Sequence, residues 1–549
     1  MFMRLHRQKQ RGKVYTSVQI CESYRDTKKG GAPRSRVVAN LGPLDKLGKE
    51  TIRNLGNGFL RAAGDVPLSG QEAQFLCAGD FGHVHAVGSV WDRLGFSKAL
   101  DQAGIAGSAS FPASGLVRLL VVNRLCDPCS KLALLDWLDS VHYGACGKPS
   151  YQHLLRAMDH LLEIKDKAEP LISKRIFKDT RPPDLVFYDI TSTYFEGERS
   201  LVPDDFRRYG YSRDSRFDKR QVVIGMVMTH GGIPLCHHVF AGNTVDKTTV
   251  TDVVGDLKKR FGLKRVVFVG DRGMLSDLNL DTLLTEQLGF IVAHPLRRNT
   301  LATEVIGSLG KQFDRERDAE QFLEERRDSV RFVVSYSPEI GRETKAGREE
   351  RLKKSDTWIS EALRKLAHPG TRGRKPTPQG TYDRIRDNLR DHNLLGFYEL
   401  KCVGDKVSVK KNKEALAWEG KIDGVLMLET TDLDLPMEEV VRRYKELAEI
   451  ERGWRSLKST LLLRPVYHWT EKRIRAHVFV CVLALQIERW MRGKLKTVSV
   501  PKALDSLQRI KVGELDIGGK KSRVVTRPTE EQKEWLASLG TPPIPASLP

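Results

Sequence analysis

The stretch DLVFYDITSTYF, residues 184–195, decides how the chain is read. Four apolar residues, Leu185 to Tyr188, run directly into an acid, Asp189, and then into β-branched and hydroxyl residues. Such a run reads as a buried strand. An acid at its end is costly to bury unless a cation or hydrogen-bond donors meet it. The plainer reading is a cap or turn residue helped by Thr191 and Ser192.

Working outward, QVVIGMVMTH (221–230) reads as a second strand, and IPLCHHVFAGN (233–243) as a third after the Gly231-Gly232 turn. VTDVVGDLKKRF (250–261) has the spacing of an amphipathic helix. KRVVFVGD (264–271) returns as a strand ending in a second acid, Asp271, with LNLDTLLTEQL (278–288) as the next helix. Three strands, a helix and a strand, with acids on the first and last strands, predict an α/β, RNase-H-like (retroviral-integrase-like) catalytic core.

The third acid lies far downstream, in YKELAEIERGWRSLK (444–458). This segment reads as one helix on which Tyr444, Glu451 and Lys458 recur every seven residues along nearly one face, with Arg455 on the same side. A solvated ladder of ion pairs is the bland alternative. Asp189, Asp271 and Glu451 are hard oxygen ligands that suit Mg²⁺ or Mn²⁺, two ions at one site, for chemistry on phosphodiesters.

Composition agrees with a polyanionic partner. The chain has 549 residues, 40% hydrophobic and 29% charged, and a formal net charge of +21. Ordinary hydropathy supports a large core, while the charge favours nucleic acid through long-range attraction. No signal peptide is evident. The apolar run Val478 to Leu485 is too short for a bilayer and reads as the buried side of a helix. A cytoplasmic, nucleoid-associated protein with no membrane partner is expected. Eight scattered cysteines do not form a disulfide framework. Cys126, Cys129, His142 and Cys146 have a spacing that can hold zinc, but the apolar helix between them, with Ser130 as its N-cap, favours reduced structural thiols.

The remaining segments are assigned by pattern. Residues 1–45 read as a basic, β-rich N-terminal arm, 46–75 as a linker, and 76–180 as a helical module that could bind DNA or support the core. The core would occupy 181–300 and, with the glutamate helix, 426–495, interrupted by a basic β-rich insertion over 301–425. Residues 496–549 read as a loosely ordered tail.

With these residues in place, the chain resembles the DDE transposases of prokaryotic insertion sequences, in particular the insertion-sequence-4 group with its signature Y-x2-R-x3-E-x6-K. Tyr444, Glu451 and Lys458 match it, whereas Leu447 stands at the arginine position. FYDITSTYFEG (187–197), AGNTVDKTT (241–249), VVFVGDRGML (266–275) and residues 461–485 are similar as well. SYRDTKKGGAPRSRVVANLGPLDK (23–46) resembles the opening of the subgroup typified by insertion sequence 1634. The resemblance implies that Asp189, Asp271 and Glu451 bind the metal ions and that Tyr444 and Lys458 grip phosphates. Arg455 or Arg452 would compensate for Leu447. It further implies double-stranded DNA (transposon ends and target) as partner, a homodimer in the synaptic complex, and metal-dependent cleavage and strand transfer. An aromatic residue of the insertion would hold a flipped base; Trp418 is a candidate, although a packed tryptophan is the plainer reading. A metal-dependent nuclease of the same fold and a catalytically inactive, transposase-derived DNA-binding protein are the rivals.

Overall fold

The computed structural model describes the chain except residues 1, 11–12, 27–31, 45, 49–50, 52, 55–56, 58–72, 108–110, 145–146, 179–184, 198–204, 230, 245–248, 262–266, 272–282, 286–287, 370–374, 518–519 and 549. Strands β1 (Phe2–Gln10), β2 (Lys13–Asp26) and β3 (Ala32–Pro43) form an antiparallel sheet of their own. β4 (Ala73–Asp80) leads into six helices: α1 (Gly82–Leu94), α2 (Phe96–Ala103), α3 (Ala113–Cys126), α4 (Ala133–Leu138), α5 (Tyr151–Glu163) and α6 (Lys165–Ile176).

The strands expected around Asp189 follow as β5 (Leu185–Tyr194), β6 (Gln221–Met228) and β7 (Pro234–Ala241), then α7 (Thr249–Phe261), β8 (Val267–Asp271) and β9 (Gly289–Ala293). β5, β6 and β7 are antiparallel neighbours, and β8 and β9 continue parallel from the other edge of β5. All eight residues of β6 are buried, as a strand covered on both faces must be. Alternation sorts the two faces. Val186, Tyr188, Ile190, Phe268 and Val292 pack in one cluster with Val253 and Leu257 of α7. Phe187, Met226, Val269 and Ile291 face the larger helical core. Asp189 has the parity of Phe187, so it opens toward the helices.

Residues 300–425 depart from the expected β-rich insertion. They contain α8 (Thr300–Leu309), β10 (Gln321–Arg327), β11 (Val330–Tyr336), the 30-residue α9 (Pro338–Ala367), α10 (Pro378–Asp391), β12 (Tyr398–Val403), β13 (Lys406–Lys411) and α11 (Lys413–Ile422). Helix dominates because the charged stretches carry a hidden stripe: Pro338, Gly341, Arg348, Leu352, Ser355 and Ile359 are the buried positions along α9. Arg348 is fixed there by a buried pair with Asp423, 2.5 Å to each oxygen. β10 and β11 do not stand apart. They join the main sheet through β14 (Val425–Thr430), giving the order β10-β11-β14-β9-β8-β5-β6-β7.

After β14 come α12 (Met437–Lys445), α13 (Leu447–Arg455), a π-helical turn over Ser456–Thr460, and α14 (Glu471–Lys494). The apolar run read as one buried side is buried all round: every residue from Ala476 to Arg489 is inside. α14 is the axis of the molecule, packed by α1, α3 and α5 on one side and β7 on another. The amino-terminal helices and the sheet therefore share one hydrophobic core.

The expectation of a loosely ordered tail is not met either. α15 (Val500–Leu507), β15 (Lys511–Ile517), β16 (Lys520–Val525), α16 (Glu530–Ser538) and β17 (Ser547–Leu548) close the chain. β15 pairs with β4 in a second sheet of order β17-β16-β15-β4. Thr529 and Gln532 make a capping box for α16, and Trp535, Leu536 and Leu539 are buried in the main core. Among the described residues no helix is long and apolar enough to cross a membrane.

Candidate active site

Asp189 sits within β5, partly buried, with each carboxylate oxygen held by a neutral donor. The Ile190 N–H donates to Oδ1 at 2.7 Å, and the Trp454 indole Nε1 donates to Oδ2 at 2.9 Å. Trp454 is three residues beyond Glu451 on α13, so this bond docks the glutamate helix on the aspartate strand. Burial pushes the Asp189 carboxyl up to about 6; the two donors and Arg213 restrain the rise, and the Glu451 charge adds to it. A carboxylate with neutral donors, a nearby like charge and remaining lone pairs fits a divalent cation as its missing partner.

Other contacts fix the helix. Gly453 packs so close to β6 that a Cβ would stand 3.1 Å from Met228 Cε. Gly232 of the β6–β7 turn lies beneath Glu449 in the same way, where a Cβ would meet its carbonyl oxygen at 3.1 Å. From α14, the buried Arg489 donates to Glu449 O at 3.2 Å and reaches Glu449 Oε2 at 3.5 Å.

Asp271 ends β8. β5 and β8 are parallel with Leu185 opposite Val267 and Phe187 opposite Val269. Carried two residues further, that register sets position 189 level with position 271, on neighbouring strands. The side chain of Asp271 lies outside the described residues.

The single helix expected over 444–458 is instead two helices and a π-turn, with the break at Glu446 and the widened turn beginning at Ser456. Tyr444 is partly buried against the core, as is Leu447. Leu447 at the arginine position thus packs apolar surface. Glu451 and Arg455 are exposed, and Arg452 is exposed but bonded to Glu449. Lys458, on the π-turn, donates to Asp214 at 3.0 Å, and Arg464 shares the same carboxylate at 2.9 Å. Burial lowers the Lys458 pKa, against the pull of Asp214. Arg464 and Arg216 both lie over one ring, 4.4 and 5.0 Å from the Tyr194 centroid.

Trp454, Arg213, Asp214 and Arg464 were not singled out by sequence. Trp454 is legible in retrospect from its i+3 spacing to Glu451. The others sit in loops with no periodicity, and only the density of cations around 205–220 marks the first two.

Among the described residues Cys126, Cys129 and His142 form no metal-ligand group, and Cys146 lies outside them. Ser130 Oγ accepts the Ala133 N–H at 3.1 Å, but the helix begins at Ala133 with Leu132 in the N-cap position, so Ser130 braces the turn before the helix and is not its N-cap. A different trio, Cys236, His238 and Asp256, is close enough to ligate. Asp256 is already bonded to Arg260, and burial drives the Cys236 thiol far up. Trp418 is packed against the α8–β11 cluster, and its indole donates to Leu296 O at 3.1 Å, so its ring is not an open stacking surface.

Residues 3–65 match the family model for the IS1634 family transposase, N-terminal domain. Residues 180–487 match the model for the transposase DDE domain. A cryo-electron microscopy structure of the piggyBac transposase synaptic complex with hairpin DNA is 11% identical, with 80% of this chain and 82% of that chain covered at a TM-score of 0.37. No curated protein matches the chain. The DDE match spans more than half of the 549 residues, and the chain belongs to the DDE transposases of the IS1634 type.

Proposed function

We propose that this transposase binds the terminal inverted repeats of its own insertion sequence, cuts there, and joins the freed end to target DNA by cut-and-paste. The observation that carries the reading is the Trp454–Asp189 bond, because it sets the helix of Glu451 against the strand of Asp189. Asp271, level with Asp189 on the adjacent parallel strand, completes the triad in this proposal. The three carboxylates would hold two Mg²⁺ or Mn²⁺ ions, as DDE transposases use divalent metal. When bound, these ions make water, and later a 3′-OH, nucleophilic and stabilise the leaving oxygen.

The chain itself would supply position and charge. Lys458 and Arg455, with Tyr444 behind them, would grip phosphates beside the scissile bond. Asp214 holds Lys458 and Arg464 together in the free protein, and a DNA phosphate would take over that role. The net charge of +21 draws the protein to nucleoid DNA. Joining two ends at once calls for two protomers, hence a homodimer in the synaptic complex.

The test is cleavage of a labelled duplex carrying the element's terminal repeat, with Mg²⁺ or Mn²⁺, by wild type and by Asp189→Ala, Asp271→Ala and Glu451→Ala. Metal-dependent nicking at the repeat boundary, lost in all three variants, is expected. Cutting without strand transfer would leave only a nuclease. Binding without cutting would leave a relic that serves as a DNA-binding protein.

A further inference from the structure

Residues 205–220 connect to β6 with the sequence DFRRYGYSRDSRFDKR, which interleaves aromatic and cationic side chains. Their backbone is held hard against the core. The buried Arg207 and Asp205 are paired, with Arg207 Nε 3.0 Å from Asp205 Oδ1. Gln221 Nε2 donates to Tyr211 O and to Gly242 O, each at 2.9 Å. Gly210 approaches Gly242 so closely that a Cβ would stand 2.1 Å from its carbonyl oxygen. The Arg213 N–H donates to Ser192 Oγ at 3.3 Å, three residues along β5 from Asp189.

On this fixed backbone three rings face solvent: Tyr209 is 57% exposed, Tyr211 76% and Phe217 60%. The Tyr211 and Phe217 rings stand edge to face, with centroids 6.2 Å apart. A tethered loop that holds large apolar rings in water keeps them available to a partner. The charge along the loop narrows what that partner is. Arg213, Arg216, Lys219 and Arg220 flank the rings in sequence and outnumber the loop's own acids, although Arg216 pairs with Asp218, Lys219 with Glu196 and Arg220 with Asp205. Arg213 is near enough to act on the Asp189 carboxylate. Exposed rings among cations are what a single strand meets on proteins that bind it: the bases stack while the backbone is neutralised.

We infer that Tyr211 and Phe217 form a stacking shelf for unpaired bases of the DNA strand beside the scissile phosphate. The shelf belongs to the β5 edge of the site and not to the insertion between Asp271 and Glu451. This inference rests on the reading of Asp189 as the cleavage centre. It also assigns the loop a preference, because a shelf for unpaired bases favours DNA ends that are already open over ends that are paired.

The test compares two probes without added divalent metal, so that binding alone is read. One is a blunt duplex ending at the element's terminal repeat; the other is the same duplex with a short single-stranded overhang at that end. Full-length wild type should bind the overhang probe about 5- to 100-fold more tightly, the range expected of base–aromatic stacking. The double variant Tyr211→Ala/Phe217→Ala should lose that preference, lower blunt-duplex affinity far less, and melt with wild type. Tyr211→Phe should retain the preference. Equal affinity of wild type for both probes, or a preference that survives in the double variant, would overturn the shelf alone. Failure of wild type to bind either probe would overturn the cleavage-centre reading together with it. A double variant that instead changes oligomeric state in sedimentation would make the rings a subunit contact and overturn the inference.

Discussion

Trp454 and Asp189 lie 265 residues apart in the chain and are joined by a 2.9 Å hydrogen bond from Nε1 to Oδ2. The indole N–H favours the charged carboxylate, so its loss must raise a pKa already near 6. A hydrogen bond to a charged group contributes about 1.5–3 kcal/mol, or roughly one to two pH units. Trp454→Phe should therefore move the acid limb of metal-dependent cleavage up by about one unit or more. A pH–rate profile superimposable on wild type would show that the bond does not govern Asp189.

The same carboxyl sets a sign for stability. Its folded pKa of about 6 lies above the ordinary value of 3.8, so the folded state holds the proton more tightly. Stability then declines as pH rises through the window from about 4 to about 6, and the full penalty remains above it. Asp189→Asn cannot titrate, although its amide oxygen can accept only one of the two N–H donors. Relative to wild type in metal-free buffer, the variant should gain up to about 3 kcal/mol between pH 4 and pH 8. Urea denaturation at the two pH values checks this; a difference independent of pH would mean the carboxyl ionises freely in the fold.

Divalent metal should reverse that penalty. Mg²⁺ or Mn²⁺ is expected to stabilise wild type by about 2.7 kcal/mol at a hundred times its dissociation constant. Glu451→Gln and Asp189→Asn should blunt the rise in melting temperature. An equal rise in all three proteins would place metal binding elsewhere.

Asp214 restrains two cations, Lys458 at 3.0 Å and Arg464 at 2.9 Å. Asp214→Asn should free both for phosphates, tighten binding to terminal-repeat duplex several-fold at low salt, and steepen the salt dependence by roughly one to two phosphate contacts. Weaker binding would mean that Asp214 holds the cations in the arrangement DNA requires.

Much of the main sheet was legible because its residues carry local signals. The runs around Asp189, Met226 and Asp271 are apolar, β-branched and bounded by turns, and each became a strand. The helices of residues 300–425 were missed although two of their starts are written plainly. Ser337-Pro338 and Thr377-Pro378 each place a capping hydroxyl before a proline at the first helical position. Charge density masks their apolar periodicity, since α9 buries only a narrow stripe along its 30 residues. The break at Glu446 and the π-turn at Lys458 had no local signal. They arise where Trp454, Gly453 and Glu449 are drawn against β5, β6 and α14, which are tertiary demands. The tail was misjudged because its basic, proline-containing composition hides strands that are stable only beside β4.

That pairing has a consequence for how the protein is made. β4 finds its neighbour β15 only after more than four hundred further residues have been made; Lys511 Nζ reaches Asp80 Oδ1 at 2.5 Å across 431 residues. During translation the aspartate strands and the glutamate helix all leave the ribosome before that closure forms. A chain cut before residue 511 therefore carries all three acids proposed for the site yet leaves β4 without β15 and the core beneath α16 open to water. Residues 511–517 thus decide whether β4 is covered, although every acid proposed for cleavage lies upstream of them.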